Sequence, residues 1–283
     1  MSQNSSLWLP NSYQDLNDLP PENIVYQPKL GGSKVVRTSP GTVIKYRGDL
    51  AEEVNCLNFA RNTLSTIHVP RVLHHPGDAR RPSLWDPRTE VIPQVWYICM
   101  EEVPGVQLNE VIDTFTPQQL EHVASQIKSA LAEMHSVRAD ILGSVSGGPF
   151  RNSYFFPYAI KPQSAWPKVS DFIDHYHQLL MSFGTEEYAK ELLSHFPQDC
   201  PIHFTHGDLV PRNILVQEST ITGIVDWSMA GFYPEFWEYC RMHDESEQSE
   251  GWNKVLTMIF PEPRRDSQIA ALHRLMGTLM YNL

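Results

Sequence analysis

His206-Gly207-Asp208-Leu209-Val210-Pro211-Arg212-Asn213-Ile214-Leu215-Val216, followed by Ile221-Thr222-Gly223-Ile224-Val225-Asp226-Trp227-Ser228, is the stretch whose reading decides the fold. Asn213 runs into the apolar triplet Ile214 to Val216, Thr220 to Gly223 read as a turn, and Ile224-Val225 form a second β-branched run. The pattern predicts two short paired strands. Asp208 and Asn213 then lie in the loop entering the first strand, and Asp226 caps the exit of the second. Their side-chain oxygens are thereby held near one another on rigid supports.

Phosphoryl transfer from ATP needs such a set: a carboxylate to orient and deprotonate the attacking hydroxyl, and hard oxygen ligands for the Mg²⁺ that bridges the phosphates. Asp208 suits the base, and Asn213 with Asp226 suits the metal. An H-x-D-x-x-x-x-N run has limited specificity alone. The strand, turn, strand and Asp that follow add a predicted order of elements to the letters. The plainer reading, in which His206 and Asp208 cap a turn and Asn213 satisfies backbone groups, does not account for that order.

Composition bounds the remaining possibilities. With 283 residues, 41% of them hydrophobic, the chain can bury a sizeable core as one large domain or two lobes. A formal net charge of -11 argues against nonspecific binding to nucleic acid or to an anionic membrane, and it allows a cationic substrate. No segment approaches the length of a membrane span. Cys56, Cys99, Cys200 and Cys240 are scattered with no C-x-x-C pair, which predicts reduced thiols and not a disulfide framework or zinc site. Met1 to Pro21 is polar and broken by prolines, unlike a signal peptide. The expected location is cytoplasmic.

Residues 22 to 48 read as strands and turns: Ile24 to Tyr26, a turn at Gly31-Gly32, Val35 to Arg37, a turn at Ser39-Pro40-Gly41, then Thr42 to Tyr46 carrying Lys45 near its end. A helix follows, with a capping-box-like start at Asp49 and Glu52 and with Leu50, Val54, Leu57 and Leu64 at helical spacing. Glu53, four residues before Leu57, shares the buried face, whereas Glu52 points more outward. A carboxylate on an inner face needs a cationic partner, and Lys45 is the nearest in sequence. Residues 74 to 93 read as a loop, and Val95 to Val103 as a strand ending at Pro104-Gly105. Backbone groups around Glu101 to Val103 are the expected adenine contact.

Thr116-Pro117-Gln118-Gln119 opens the clearest helix, capped and with proline in its first turn. Leu120, Val123, Ile127, Leu131 and Met134 form its apolar stripe. An irregular stretch at 139 to 165 and helices at about 167 to 182 and 186 to 195 come next.

Taken in order, Thr42 to Lys45, Glu53, Met100 to Gly105, His206 to Asn213 and Ile224 to Trp227 resemble the aminoglycoside phosphotransferase and choline kinase-like family, relatives of the protein kinases. The resemblance covers roughly residues 24 to 240. It implies an α+β, two-lobed protein kinase-like fold with a small antiparallel-sheet N-lobe and a larger, mainly helical C-lobe. The expected division is an N-terminal extension at 1 to 21, a nucleotide-binding N-lobe at 22 to 103 and a catalytic, acceptor-binding C-lobe at 104 to 283. It further implies ATP and Mg²⁺ as cofactors and transfer of the terminal phosphoryl group to a hydroxyl of a small molecule. Carried over by position, Asp208 is the base, Asn213 and Asp226 hold metal, and Lys45 with Glu53 orients phosphates.

The sequence departs from the family pattern in its sparse Gly-rich loop, only Gly31-Gly32, in Val210 where a small polar residue or histidine is common, and in Arg212 where glycine is frequent. Glu235, Glu238, Asp244 and Glu245, close after the metal loop, lead us to expect a positively charged acceptor. The rival readings are a metallohydrolase built on the string His203, His206 and Asp208, a non-catalytic kinase-like binder, and a protein kinase. Asn213 and Asp226 are poor zinc ligands, the filled chemical positions disfavour a pure binder, and no activation segment with its downstream anchor follows Asp226.

Overall fold

The computed structural model describes residues 7–27, 32–78, 94–151, 162 and 164–281. Turn signals between short β-branched runs give an antiparallel sheet in the N-terminal region. Its strands are β1 (Ile24–Tyr26), β2 (Lys34–Ser39), β3 (Thr42–Tyr46), β4 (Val72–His74) and β5 (Tyr97–Glu101), in the spatial order β1-β2-β3-β5-β4. Helix α1 (Tyr13–Asn17) precedes the sheet, and α2 (Ala51–Thr63) connects β3 to β4.

Alternation along β3 explains how one strand serves two cores. Val43 joins Leu50, Val54 and Leu57 of the α2 region, while Ile44 and Tyr46 join Leu16, Val36, Tyr97 and Cys99 on the opposite face. The N-terminal stretch is therefore part of the fold: Leu16 of α1 is buried, and Asn17 accepts a hydrogen bond from the Tyr46 hydroxyl.

The rest of the chain is mainly helical. It runs through β6 (Val106–Gln107), α3 (Leu108–Val111), α4 (Pro117–Ser136), α5 (Val169–Leu180), α6 (Glu186–Leu193), β7 (Ile202–Thr205), β8 (Ile214–Gln217), β9 (Thr220–Ile224), β10 (Gly231–Pro234), α7 (Phe236–Met242), α8 (Glu250–Ile259) and α9 (Asp266–Tyr281). Strands β6, β8 and β9 form one small sheet and β7 pairs with β10. Helix α4 carries the expected capping box, and its whole predicted stripe is buried. Among the described residues, no helix is long and apolar enough to cross a membrane.

Several expectations require correction. The hairpin turn falls at Glu218-Ser219, since Gln217 pairs with Thr220; Thr220 to Gly223 continue the strand. The left-handed φ of 54° at Glu218 provides the reversal that the sequence reading placed later. His74 ends β4 and pairs with Cys99, so the loop starts after it, and residues 79–93 lie outside the described set. At the start of α2, the Asp49 carboxylate accepts from the Ala51 N–H, but Glu52 closes no capping box. Glu52 is buried because the segment around Ser144 covers that side of α2, and its carboxylate accepts from the Ser144 hydroxyl. Gly31 and the stretch 152–161 also lie outside the described residues.

A carboxylate from α4 fixes the far end of α2. Glu133 accepts from the N–H and hydroxyl groups of both Ser65 and Thr66, at 2.5 to 2.9 Å. Desolvation opposes ionisation, but these hydrogen bonds win and hold the carboxyl down at about 2, from an ordinary 4.5. A depressed acid contributes stability that is present above its unfolded pKa and lost as the pH falls through the folded one. Chemical denaturation is therefore expected to show Glu133→Gln less stable than wild type near neutral pH, with the two converging between about 4.5 and 2.

Candidate active site

The loop after β7 owes its shape to groups beneath it. Gly207 has a φ of 82°, and a Cβ there would lie 2.4 Å from the Met229 carbonyl oxygen, so only glycine fits. Glu238, on α7 and 2% exposed, turns its carboxylate onto the loop backbone. Its Oε2 accepts from His206 N–H at 2.6 Å and Gly207 N–H at 3.1 Å, and its Oε1 accepts from Leu209 N–H at 3.2 Å. Burial pushes this carboxyl up to about 7, against the three N–H groups that favour its charge.

His206 completes the support. Its Nδ1 accepts from Asp208 N–H at 3.2 Å and its Nε2 lies 3.1 Å from the Val225 carbonyl oxygen, which fixes a neutral ring with the proton on Nε2. Burial lowers its pKa in the same sense. With both ring nitrogens engaged, His206 is unavailable to metal, and His203 instead stacks on His135 with centroids 4.1 Å apart. The string expected of a metallohydrolase does not converge, and no group of three or more His, Cys, Asp or Glu suited to a metal occurs among the described residues.

Asp208 and Asn213 meet across the loop. The Asn213 Nδ2 donates to the Asp208 carbonyl at 2.8 Å and to its Oδ2 at 3.0 Å, which commits the amide nitrogen and leaves Asn213 Oδ1 for another partner. Asp208 also receives two guanidinium groups: Arg241 on Oδ1 at 2.8 Å and Arg212 on Oδ2 at 2.5 Å. Arg241 in turn pairs with Asp244, and Arg212 with Glu247. The sequence reading noted Arg212 only as a departure and missed Arg241. Nothing in local spacing brings position 241 to position 208.

Lys45, Glu53 and Asp226 form the second cluster. Lys45 Nζ lies 2.8 Å from Glu53 and 2.9 Å from Asp226 Oδ1, which also accepts from the Ser228 hydroxyl at 2.7 Å. The expected lysine–glutamate pair is present, with Asp226 as a third member. Desolvation would drive Lys45 toward neutrality, but the two carboxylates overcome it and raise its pKa. Burial, helped by the nearby Asp226 charge, raises Glu53 against the opposing pull of Lys45, while Lys45 and Ser228 outweigh desolvation at Asp226 and hold it well below the usual range. One cation thus serves two anions, leaving a net negative charge beside an Asp226 side chain that is 42% exposed.

Side chains of the segment leaving β5 are occupied elsewhere. Glu101 faces Arg61 and His68 and accepts from Arg71 N–H, and Val103 packs against Gly223. The Glu101 N–H is also taken, donating to the Arg71 carbonyl at 2.9 Å, so a ligand can meet the Glu101 main chain only through its carbonyl. The acidic cluster expected to attract a cationic acceptor is also reduced: Glu238 supports the loop and Asp244 pairs with Arg241, while Glu235 and Glu245 are exposed. Two aromatic neighbours in the sequence, Phe236 and Trp237, are both buried, and that apolar setting was the available sign that Glu238 lies inward.

Known proteins share this architecture. A hygromycin-B 4-O-kinase of Escherichia coli is 27% identical over 146 residues, covering 48% of this chain and 39% of that protein, so the match spans well under two thirds of the relative. The GDP complex of aminoglycoside 2'-phosphotransferase-IIIa superposes with a TM-score of 0.62 at 11% identity, covering 94% of this chain and 87% of the other. Aminoglycoside phosphotransferase APH(4)-Ia gives a TM-score of 0.60 at 16% identity, with 90% and 83% covered. These solved structures share the α+β kinase-like fold, an antiparallel sheet followed by a helical region. The sequence model of the phosphotransferase enzyme family matches residues 22–276, nearly the whole chain, and the chain belongs to that family.

Proposed function

We propose that this phosphotransferase is an ATP- and Mg²⁺-dependent kinase that phosphorylates a hydroxyl of a small, positively charged molecule. The observation that carries the reading is the contrast between its two acidic centres. Asp208 has a guanidinium on each oxygen, whereas Asp226 meets one lysine, shared with Glu53, and its side chain is 42% exposed. A divalent cation belongs at the second centre. Asp226 and the Asn213 Oδ1 offer the hard oxygen donors that Mg²⁺ takes alongside water and phosphate. When bound, the metal neutralises charge on the transferring phosphoryl group.

The chain's own residues do the remainder. Lys45, held by Glu53, presents a fixed positive charge to the phosphates. The Glu101 carbonyl and main-chain groups at Val103 receive the base of the nucleotide. Asp208 orients the acceptor hydroxyl and takes its proton. The solved relatives include nucleotide complexes with GDP, ADP and ATP and aminoglycoside complexes with kanamycin and gentamicin, which supports both halves of the reading. A cationic acceptor also suits the net charge of -11. Four unpaired cysteines suit a reducing cytoplasm.

ATP consumption with mass detection of product, using hygromycin B, kanamycin and other hydroxylated amines as acceptors, tests the proposal. Nucleotide binding is checked separately by melting temperature, since a ligand of the native state raises it by mass action. Lys45→Ala is expected to abolish most of the rise produced by ATP with Mg²⁺, and Glu53→Ala to weaken it less, because the glutamate acts through the lysine. Equal shifts in both variants and wild type would remove Lys45 from the nucleotide site.

A further inference from the structure

The segment after α7 is tied to Asp208 by two parallel relays. One runs from Asp244 through Arg241 to Asp208 Oδ1, the other from Glu247 through Arg212 to Asp208 Oδ2. Arg241 is enclosed, its side chain 8% exposed, but Arg212 is 32% exposed and flanks the carboxylate from the solvent side. The residues between, Leu209, Val210 and Pro211, are buried, so Arg212 is the one side chain of the loop between Asp208 and Asn213 that reaches outward.

Counting acceptor positions on Asp208 shows what this does. A carboxylate offers about four lone-pair sites, two on each oxygen. Oδ2 takes Arg212 and the Asn213 Nδ2, and Oδ1 takes Arg241. The site left is on Oδ1. Resting on the kinase reading, we propose that Arg212 is a positioning residue for the transfer: by bridging Asp208 and Glu247 it fills Oδ2 and holds the base so that Oδ1 receives the acceptor hydroxyl.

Without Arg212, Oδ2 keeps only Asn213 and regains an acceptor position, so the hydroxyl can bind at either oxygen. Misplacement of a reacting group lowers turnover without altering the phosphate site. The bridge also links the base to the turn at Glu245–Glu247, so Glu247 acts on Asp208 through Arg212.

The test uses the full chain, with ATP and Mg²⁺ and with water, hygromycin B, kanamycin or gentamicin as acceptor. Arg212→Ala is expected to lower kcat by roughly ten- to a hundredfold, the scale of one charge-assisted hydrogen bond, while KM for ATP stays unchanged. Methylguanidinium added to Arg212→Ala should restore part of the loss, and Arg212→Lys should retain more turnover than Arg212→Ala. Glu247→Gln should lower kcat by less, since Arg212 keeps its bond to Asp208.

A spectroscopic arm reads the contact independently of turnover. In protein carrying ¹³C-labelled aspartate, the carboxyl resonance lost in Asp208→Asn should move in Arg212→Ala and move back with methylguanidinium. Wild-type turnover that is unaffected by Arg212→Ala, or lost with no rescue and no movement of that resonance, overturns the proposal alone. Absence of wild-type turnover with every one of these acceptors and of any melting shift with ATP and Mg²⁺, with the resonance responding as expected, overturns the kinase reading and with it Arg212's part in transfer, leaving the bridge as structure only.

Discussion

Asp208→Asn is expected to lower turnover by about 10² to 10⁴, the usual contribution of a general base, while binding of ATP with Mg²⁺ survives. Asparagine preserves the shape and one acceptor oxygen, and the Lys45, Glu53 and Asp226 cluster is untouched. It removes the charge that takes the proton from the acceptor. It also sets an amide against Arg212 and Arg241, the latter nearly enclosed, so a fall in melting temperature accompanies the loss. Measuring the nucleotide-induced shift on the variant's own baseline separates the two effects. Normal turnover in a folded Asp208→Asn protein removes Asp208 from the chemistry.

Asp226→Asn acts at the other centre and is expected to damage both binding and turnover. The native cluster holds two carboxylates about one lysine; the variant holds one, which neutralises the excess negative charge that draws a divalent cation. Turnover should fall by roughly 10² or more, the scale of losing a principal electrostatic contact in a phosphoryl-transfer site. In titration calorimetry, Mg²⁺-dependent tightening of ATP binding should disappear, with metal-free binding little changed. The two aspartates must therefore differ in nucleotide binding and agree in lost activity. A variant of Asp226 that binds ATP with Mg²⁺ as wild type does would shift the metal to other ligands.

Parts of the site governed by local pattern were legible in the sequence. Ile214 pairs with Ile224 as the two β-branched runs predict, which carries Asn213 and Asp226 to neighbouring ends of one hairpin. Lys45 meets Glu53 because strand alternation and helical spacing each specify a face, and a buried charge needs a partner. The stripe of α4 was readable for the same reason. What stayed hidden depends on packing between distant segments. Glu52 is covered by the segment around Ser144, some ninety positions later, and that packing is not written in the local spacing. Glu238 reaches back about thirty residues to the loop, and Arg241 reaches Asp208 over 33. Charge count misled in the same place: the acidic residues after Asp226 resembled a lure for a cation, but two of the four are used internally. Leu16 was hidden by composition: its few apolar neighbours Leu9, Tyr13 and Leu19 are scattered through a polar, proline-broken segment that the sheet nonetheless partly buries.

The most direct measurement is ATP turnover by the wild-type chain with Mg²⁺ across hygromycin B, kanamycin, gentamicin and simpler hydroxylated amines, read by mass spectrometry of the acceptor. The predicted result is an acceptor carrying one added phosphoryl group, formed with ATP and Mg²⁺ together, lost when either is omitted and lost in Asp208→Asn. Unmodified acceptors throughout, together with a melting temperature that millimolar ATP and Mg²⁺ leave unchanged, would contradict it.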